Sequence, residues 1–246
     1  MSIQDNSEQQ EFWSGRQGQT WLRNAHVFDQ LFATVDGLLL DAALPAPGEH
    51  VLDMGCGSGA TSRAFAALVA PGGSVLGLDI SPLMVARAAD ISREEGIANV
   101  TFTEGDAATA ELPYAAHDVL VSRFGAMFFA DPVAGYRALR GTLKPGGRMV
   151  LACWADMASN PMFGMPTRLG IEHFGPQETG DPHAPGPMAF ADVARVEGIL
   201  RDAGFDDVRG RPVDLHLCHP GGIDATLQVF GDLGPLGRML REHEAD

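Results

Sequence analysis

The run Val51-Leu52-Asp53-Met54-Gly55-Cys56-Gly57-Ser58-Gly59-Ala60-Thr61-Ser62 sets a carboxylate two residues ahead of three glycines at alternate positions. Glycines so spaced leave no Cβ atoms where a turn is tightest, so the backbone approaches a ligand and its N–H groups stay free to donate. The apolar residues before them read as a buried strand and Thr61 onward as a helix, an arrangement that holds a small-molecule cofactor. Gly55-x-Gly57-x-x-Ala60 also satisfies the loose dinucleotide fingerprint, which admits NAD or FAD. Asp53 opposes that reading. It would repel a pyrophosphate, whereas S-adenosylmethionine (SAM) brings an ammonium and a sulfonium to the turn and no phosphate.

Asp-x-Gly-x-Gly-x-Gly at 53–59 resembles motif I of the class I SAM-dependent methyltransferases, and later segments resemble that family in order, over about residues 50 to 155. Val75-Leu76-Gly77-Leu78-Asp79 reads as a second buried strand ending in an acid about 20 residues beyond Gly59, where ribose-binding acids sit. The resemblance implies that Asp79 accepts hydrogen bonds from both ribose hydroxyls, with Ile80 and Met84 beside it. Asp79-Ile80-Ser81-Pro82 is also a helix start, with Ser81 as N-cap, and both readings can hold together. Phe102-Thr103-Glu104-Gly105-Asp106-Ala107 resembles the acidic loop in which a carboxylate, here Asp106, meets the adenine amino group. With Asp53, Gly55, Gly57, Gly59, Ala107 and Ser122 these residues form the implied cofactor set, with S-adenosylhomocysteine as product and no metal.

The chain looks most like the small-molecule methyltransferases related to those of ubiquinone and menaquinone synthesis, the type 11 group. Ser122-Arg123-Phe124-Gly125 stands where amino-methylating nucleic-acid enzymes carry Asn/Asp-Pro-Pro-Tyr, so that base-holding motif is missing. The implied activity is methyl transfer to a small acceptor through oxygen, nitrogen or carbon, by in-line displacement. Phe124, Met127, Phe128, Trp154 and Phe163 near the carboxyl edge suggest an apolar or aromatic acceptor. Arg123 either holds a substrate carboxylate or carbonyl, or pairs with an acid such as Asp131. His26, His173 and His183 lie on segments that can reach an acceptor and are the candidate general bases. His50 and His117 precede strands and fall at the wrong end of the sheet, and His219 reads as a turn residue. Two rival readings are a SAM-binding module without catalysis and a nicotinamide oxidoreductase.

These residues need elements to position them. Strands and helices alternate from 49 to 153, which implies an α/β, Rossmann-like, doubly wound and mostly parallel sheet. Helices are expected at Thr61 to Val69, Pro82 to Glu95 and Val133 to Leu143. Leu143-Lys144-Pro145-Gly146-Gly147-Arg148 reads as a turn before a fifth strand at Met149 to Cys153. Residues 1–45 form a helical cap, with Val27, Phe28, Leu31, Phe32, Val35, Leu38 and Leu39 at spacings of three and four. Residues 46–155 are the cofactor-binding core, and 156–190, rich in proline, methionine and phenylalanine, a lid with a short helix. Residues 191–246 supply a helix at Asp192 to Ala203, a sixth strand at Asp207 to Cys218, a helix at Ala225 to Arg241 and a polar, frayed tail. The closing antiparallel strand usual in this family is missing, which leaves an edge completed in some other way.

The 246 residues are 45% hydrophobic and 7% aromatic with a formal net charge of −15, a globular composition that repels a phosphate backbone and excludes nucleic acid as a partner. Cys56, Cys153 and Cys218 have neither disulfide nor zinc spacing and fit a reducing cytoplasm. No leader pattern or membrane span is expected, and the oligomeric state, with a homodimer among the options, is left open.

Overall fold

The computed structural model describes residues 6–177, 180–232 and 234–244. Five parallel strands, β1 (His50–Met54), β2 (Ser74–Asp79), β3 (Val100–Glu104), β4 (His117–Arg123) and β5 (Leu143–Ala152), lie in the order β3-β2-β1-β4-β5. This is the expected Rossmann-like sheet. The central strands are buried on both faces, so their side chains alternate between two cores. Leu52, Met54 and Leu120 pack with Tyr136, Leu139, Phe190 and Leu200. Val51, Val75, Val119 and Val121 pack with Leu39, Phe65 and Val69 on the other side.

The covering helices are α5 (Ala60–Val69), α6 (Pro82–Glu94) and α7 (Pro132–Arg140), with α9 (Val193–Asp202) beside α7. Asp131 and Asp192 accept N-cap bonds from the first turns of α7 and α9. Before the sheet come α1 (Ser7–Ser14), α2 (Arg16–Arg23), α3 (Ala25–Leu31) and α4 (Ala33–Ala43). The 1–45 cap therefore divides. α4 packs on β4 and β5 as part of the helical layer, whereas the earlier helices reach the loops at the carboxyl ends of the strands. The lid contains α8 (Pro161–Phe174), longer than the short helix expected, and the chain ends in α10 (Gly222–Asp232) and α11 (Gly234–Glu244).

Three expectations are corrected. Residues 207–218 carry no strand: Pro212 interrupts the run and removes a ladder donor, and Val213 and Leu215 remain exposed. β5 is therefore an edge among the described residues. The fifth strand begins at Leu143 and not at Met149, with the turn read at 143–148 inside it: the ladder steps from His117–Leu143 to Val119–Arg148, so residues 144–147 loop out, with Gly146 at a φ of +81°. Residues 241–244 are not frayed. They continue α11, which lies so close to α8 that a Cβ on Gly170 would come 2.5 Å from Met239 Sδ. No helix among the described residues is long and apolar enough to cross a membrane.

Candidate functional site

The glycine turn sits where β1 leaves the sheet. Gly55 and Cys56 donate their N–H groups to the Leu78 carbonyl (2.8 and 3.1 Å), which fixes the turn to β2. Gly55 lies back to back with Gly125 after β4: a Cβ on Gly125 would stand 2.9 Å from both Gly55 Cα and Met54 O. Gly57 has a φ of +54°, and a Cβ there would meet nothing within 4 Å, because the position opens onto the cleft. Gly59 serves packing instead. It precedes α5 with a φ of +82°, and its missing Cβ makes room for the Phe102 ring.

Three carboxylates surround this turn at different depths. Asp79, at the end of β2, accepts from Gly57 N at Oδ2 (2.8 Å) and Ser81 N at Oδ1 (2.9 Å), and lines the cleft with Ile80 and Met84. Burial pushes its pKa up against those two bonds. Ser81 occupies the N-cap position of α6, but its hydroxyl caps nothing there and donates to Trp13 O (2.9 Å). Asp106 and Ala107 line the cleft after β3. Asp53 lies beneath the turn and not on the cleft, because on β1 it points toward α5, where Ser62 Oγ donates to its Oδ2 (2.5 Å). Its Oδ1 is buried without a partner among the described residues, and burial pushes its pKa up to about 7. Ser122 is fully buried, its hydroxyl has no partner among the described residues, and it does not reach the cleft.

The carboxyl ends of β4 and β5 carry an aromatic box. Phe124 holds a left-handed backbone (φ +64°), uncommon for a bulky residue, and its ring stacks on Trp154 at 4.0 Å and 5°. Phe32 of the cap and Phe163 of α8 meet Trp154 edge-on at 5.8 and 5.0 Å. Met127 lies beneath and Phe128 beside it, the latter edge-on to Trp13 at 5.5 Å.

Arg123 turns away from Asp131, which caps α7, and binds Asp36 Oδ2 (2.5 Å) and Asp29 Oδ1 (3.7 Å). Asp36 also accepts from Thr61 Oγ1 (2.7 Å), and Asp29 from Ser58 Oγ (3.4 Å). This partly buried network ties α3 and α4 to the glycine turn. Asp29 and Asp36 were missed in the sequence, although two acids seven residues apart inside the apolar stripe Phe28, Leu31, Phe32 and Val35 are a readable signal. Asn6, which touches Asp106, left no such signal.

The candidate bases are not brought to the cleft. His26, His173 and His183 are exposed and do not line it; His26 pairs with Gln30 on its own helix, and His173 packs on Phe174. His219 does line the larger cavity, but its Nδ1 accepts from Gly221 N (3.0 Å), which fixes the proton of the neutral ring on Nε2. That cavity, about 2590 Å³, exceeds a single ligand site because the cofactor cleft runs into the gap between β5 and residues 205–219.

Residues 45–168, about half of the chain, match a family described as a methyltransferase domain. Nocamycin O-methyltransferase of Saccharothrix syringae is 33% identical over 211 residues, covering 80% of this chain and 75% of the relative. The chain belongs to the class I SAM-dependent methyltransferases. The ubiquinone/menaquinone biosynthesis C-methyltransferase of Vibrio campbellii is 26% identical over 69% of each protein. A SAM-dependent methyltransferase structure from Aquifex aeolicus, 21% identical, superposes with a TM-score of 0.55 over 71% of this chain and 81% of its own, which supports the fold. The resemblance to the class I small-molecule methyltransferases is borne out, and the readings of a nicotinamide oxidoreductase and of a non-catalytic module give way to a methyltransferase that uses SAM. The residues fit that cofactor: a backbone turn open at Gly57, with acceptor carboxylates Asp79 and Asp106 on the same cleft.

Proposed function

We propose that this methyltransferase acts on a small apolar or aromatic acceptor, by in-line displacement, with Gly55, Gly57, Asp79, Ile80, Met84, Asp106 and Ala107 holding the cofactor. When bound, SAM supplies an already activated methyl group whose sulfonium leaves as a neutral thioether. The chain's own residues then need mainly to position the acceptor and exclude water. Asp79 accepts from the ribose hydroxyls and Asp106 from the adenine amino group, while Asp53, from below, supports the turn and the local field.

The observation that carries the acceptor class is the aromatic box. The stacked pair Phe124 and Trp154, edged by Phe32 and Phe163, offers flat apolar walls at the carboxyl end of the sheet, and the backbone strain at Phe124 is the kind retained at binding sites. The two relatives are named as an O- and a C-methyltransferase, which supports oxygen or carbon as the receiving atom, with nitrogen the third option. Arg123 is already engaged by Asp36, which favours a positioning role over a substrate contact. The three free cysteines fit a cytoplasmic enzyme.

The test is to incubate the protein and a boiled control with methyl-labelled SAM and a metabolite extract, and to search for labelled products by mass spectrometry. A labelled product that partitions into apolar solvent is the expected result. Labelled products that are all strongly polar overturn the acceptor class, and none at all, with S-adenosylhomocysteine binding verified, overturns the small-metabolite reading.

A further inference from the structure

Asp106, assigned above to the adenine amino group, already accepts hydrogen bonds from within the chain. Asn6 is buried, and its carboxamide Nδ2 donates to Asp106 Oδ1 (2.7 Å) while its backbone N–H donates to Oδ2 (3.2 Å). Ala108 N (2.9 Å) and Thr109 Oγ1 (3.5 Å) complete the set. A carboxylate has about four lone-pair sites, and those of Asp106 are taken. Beyond the donor, Asn6 Oδ1 accepts from Ala130 N (2.8 Å) after β4. A carboxamide edge therefore presents a planar NH₂ donor beside an acceptor, the same pair that the amino group and N1 of adenine present.

We propose that Asn6 is an intramolecular stand-in for the adenine edge, and that the strap formed by Asn6 and α1 gates the cofactor cleft by occupying Asp106. The proposal rests on the adenine assignment of Asp106 made above. The strap is anchored beyond Asn6 by Ser81 Oγ on Trp13 O and by the Trp13 ring on Phe128, so α1 lies across the loops after β2, β3 and β4. It is also incompletely satisfied. Gln9 Oε1, on the same cleft, is buried without a hydrogen-bond partner among the described residues, a cost that favours release. Adenine replaces Asn6 on Asp106, and the strap opens as the cofactor enters.

A gate that is closed most of the time lowers apparent affinity by the fraction of open molecules. Calorimetric titration with S-adenosylhomocysteine is therefore expected to show about tenfold tighter binding for Asn6→Ala than for the parent chain, if the strap is open about a tenth of the time. Hydrogen exchange of residues 6–14 in the parent chain is expected to accelerate on binding. Unchanged or weaker binding by Asn6→Ala, or slower exchange of the segment, overturns the gate. Asp106→Ala is then made in the Asn6→Ala background, where the carboxamide contacts to Asp106 and Ala130 are gone. There it is expected to weaken binding at least tenfold. An unchanged affinity in that background means that the adenine assignment fails, whatever Asn6→Ala alone has shown.

Discussion

Asp53 shows how one carboxyl serves a site that it does not touch. Its oxygens lie under the glycine turn, one bonded to Ser62 and one to nothing among the described residues, and burial holds its pKa about 7 against an ordinary 3.8. The unfolded chain releases this proton from about pH 4 upward, whereas the folded chain keeps it to about pH 7. The folded state binds more protons across that window, so Asp53 lowers stability as pH rises through it, by a few kcal/mol at most. Asp36 and Asp79 are shifted the same way by burial, so they add to the slope. Asp53→Asn keeps the shape and removes the titration. Thermal unfolding at pH 5 and pH 8 is expected to show a smaller difference for this variant than for the parent chain. An equal difference would mean that Asp53 ionises as freely in the fold as out of it. Arg123 illustrates the reverse case, a cation held between two partly buried acids. Its removal leaves Asp36 and Asp29 short of a partner, so loss of activity in such a variant says nothing of the substrate unless stability is measured beside it.

At the scale of elements, the glycine turn separates folding from binding. Gly57 and Gly125 are within a few residues of the same backbone crossing, yet an added Cβ meets open cleft at the first and two backbone atoms at 2.9 Å at the second. Gly57→Ala is expected to fold, at a cost of about 1–2 kcal/mol for its left-handed φ, and to lose tenfold or more in affinity for S-adenosylhomocysteine. Gly125→Ala is expected to destabilise the chain itself, since neither Gly55 Cα nor Met54 O can move without shifting β1. Urea unfolding read beside calorimetry distinguishes the two, and equal losses of stability would contradict the geometry. This turn was legible in the sequence because a local run encodes it, as were the sheet and the helices α5, α6 and α9. What the sequence hid depends on contacts between distant residues. Alternation marked 207–218 as a strand, but no neighbouring strand pairs with it and Pro212 cannot. The tail looked polar because α11 buries only its Met239 side against α8. Candidate bases chosen by segment failed because segment position does not say which way a side chain points.

On the scale of the whole molecule, the cofactor cleft is where the layers meet. The glycine turn comes from β1, Asp79 from β2, Asp106 from beyond β3, the aromatic box from β4, β5 and α8, and the roof from α1 through Asn6 and Trp13. The Arg123 network joins the cap helices to the same turn. A ligand bound there stabilises elements that span the chain from the glycine turn to α8, and any such ligand raises the unfolding free energy by mass action. At a hundredfold excess over Kd the gain is about 2.7 kcal/mol. For a chain of this size that corresponds to a rise in Tm of about 5 to 10 °C. S-adenosylhomocysteine is expected to produce that rise in a single transition, and NADH, whose pyrophosphate would meet the Asp79 carboxylate at the glycine turn, to produce none. A shift confined to the later of two transitions would separate the cap from the sheet thermodynamically. It would mean that the Arg123 network does not hold the cap helices to the sheet once heating begins.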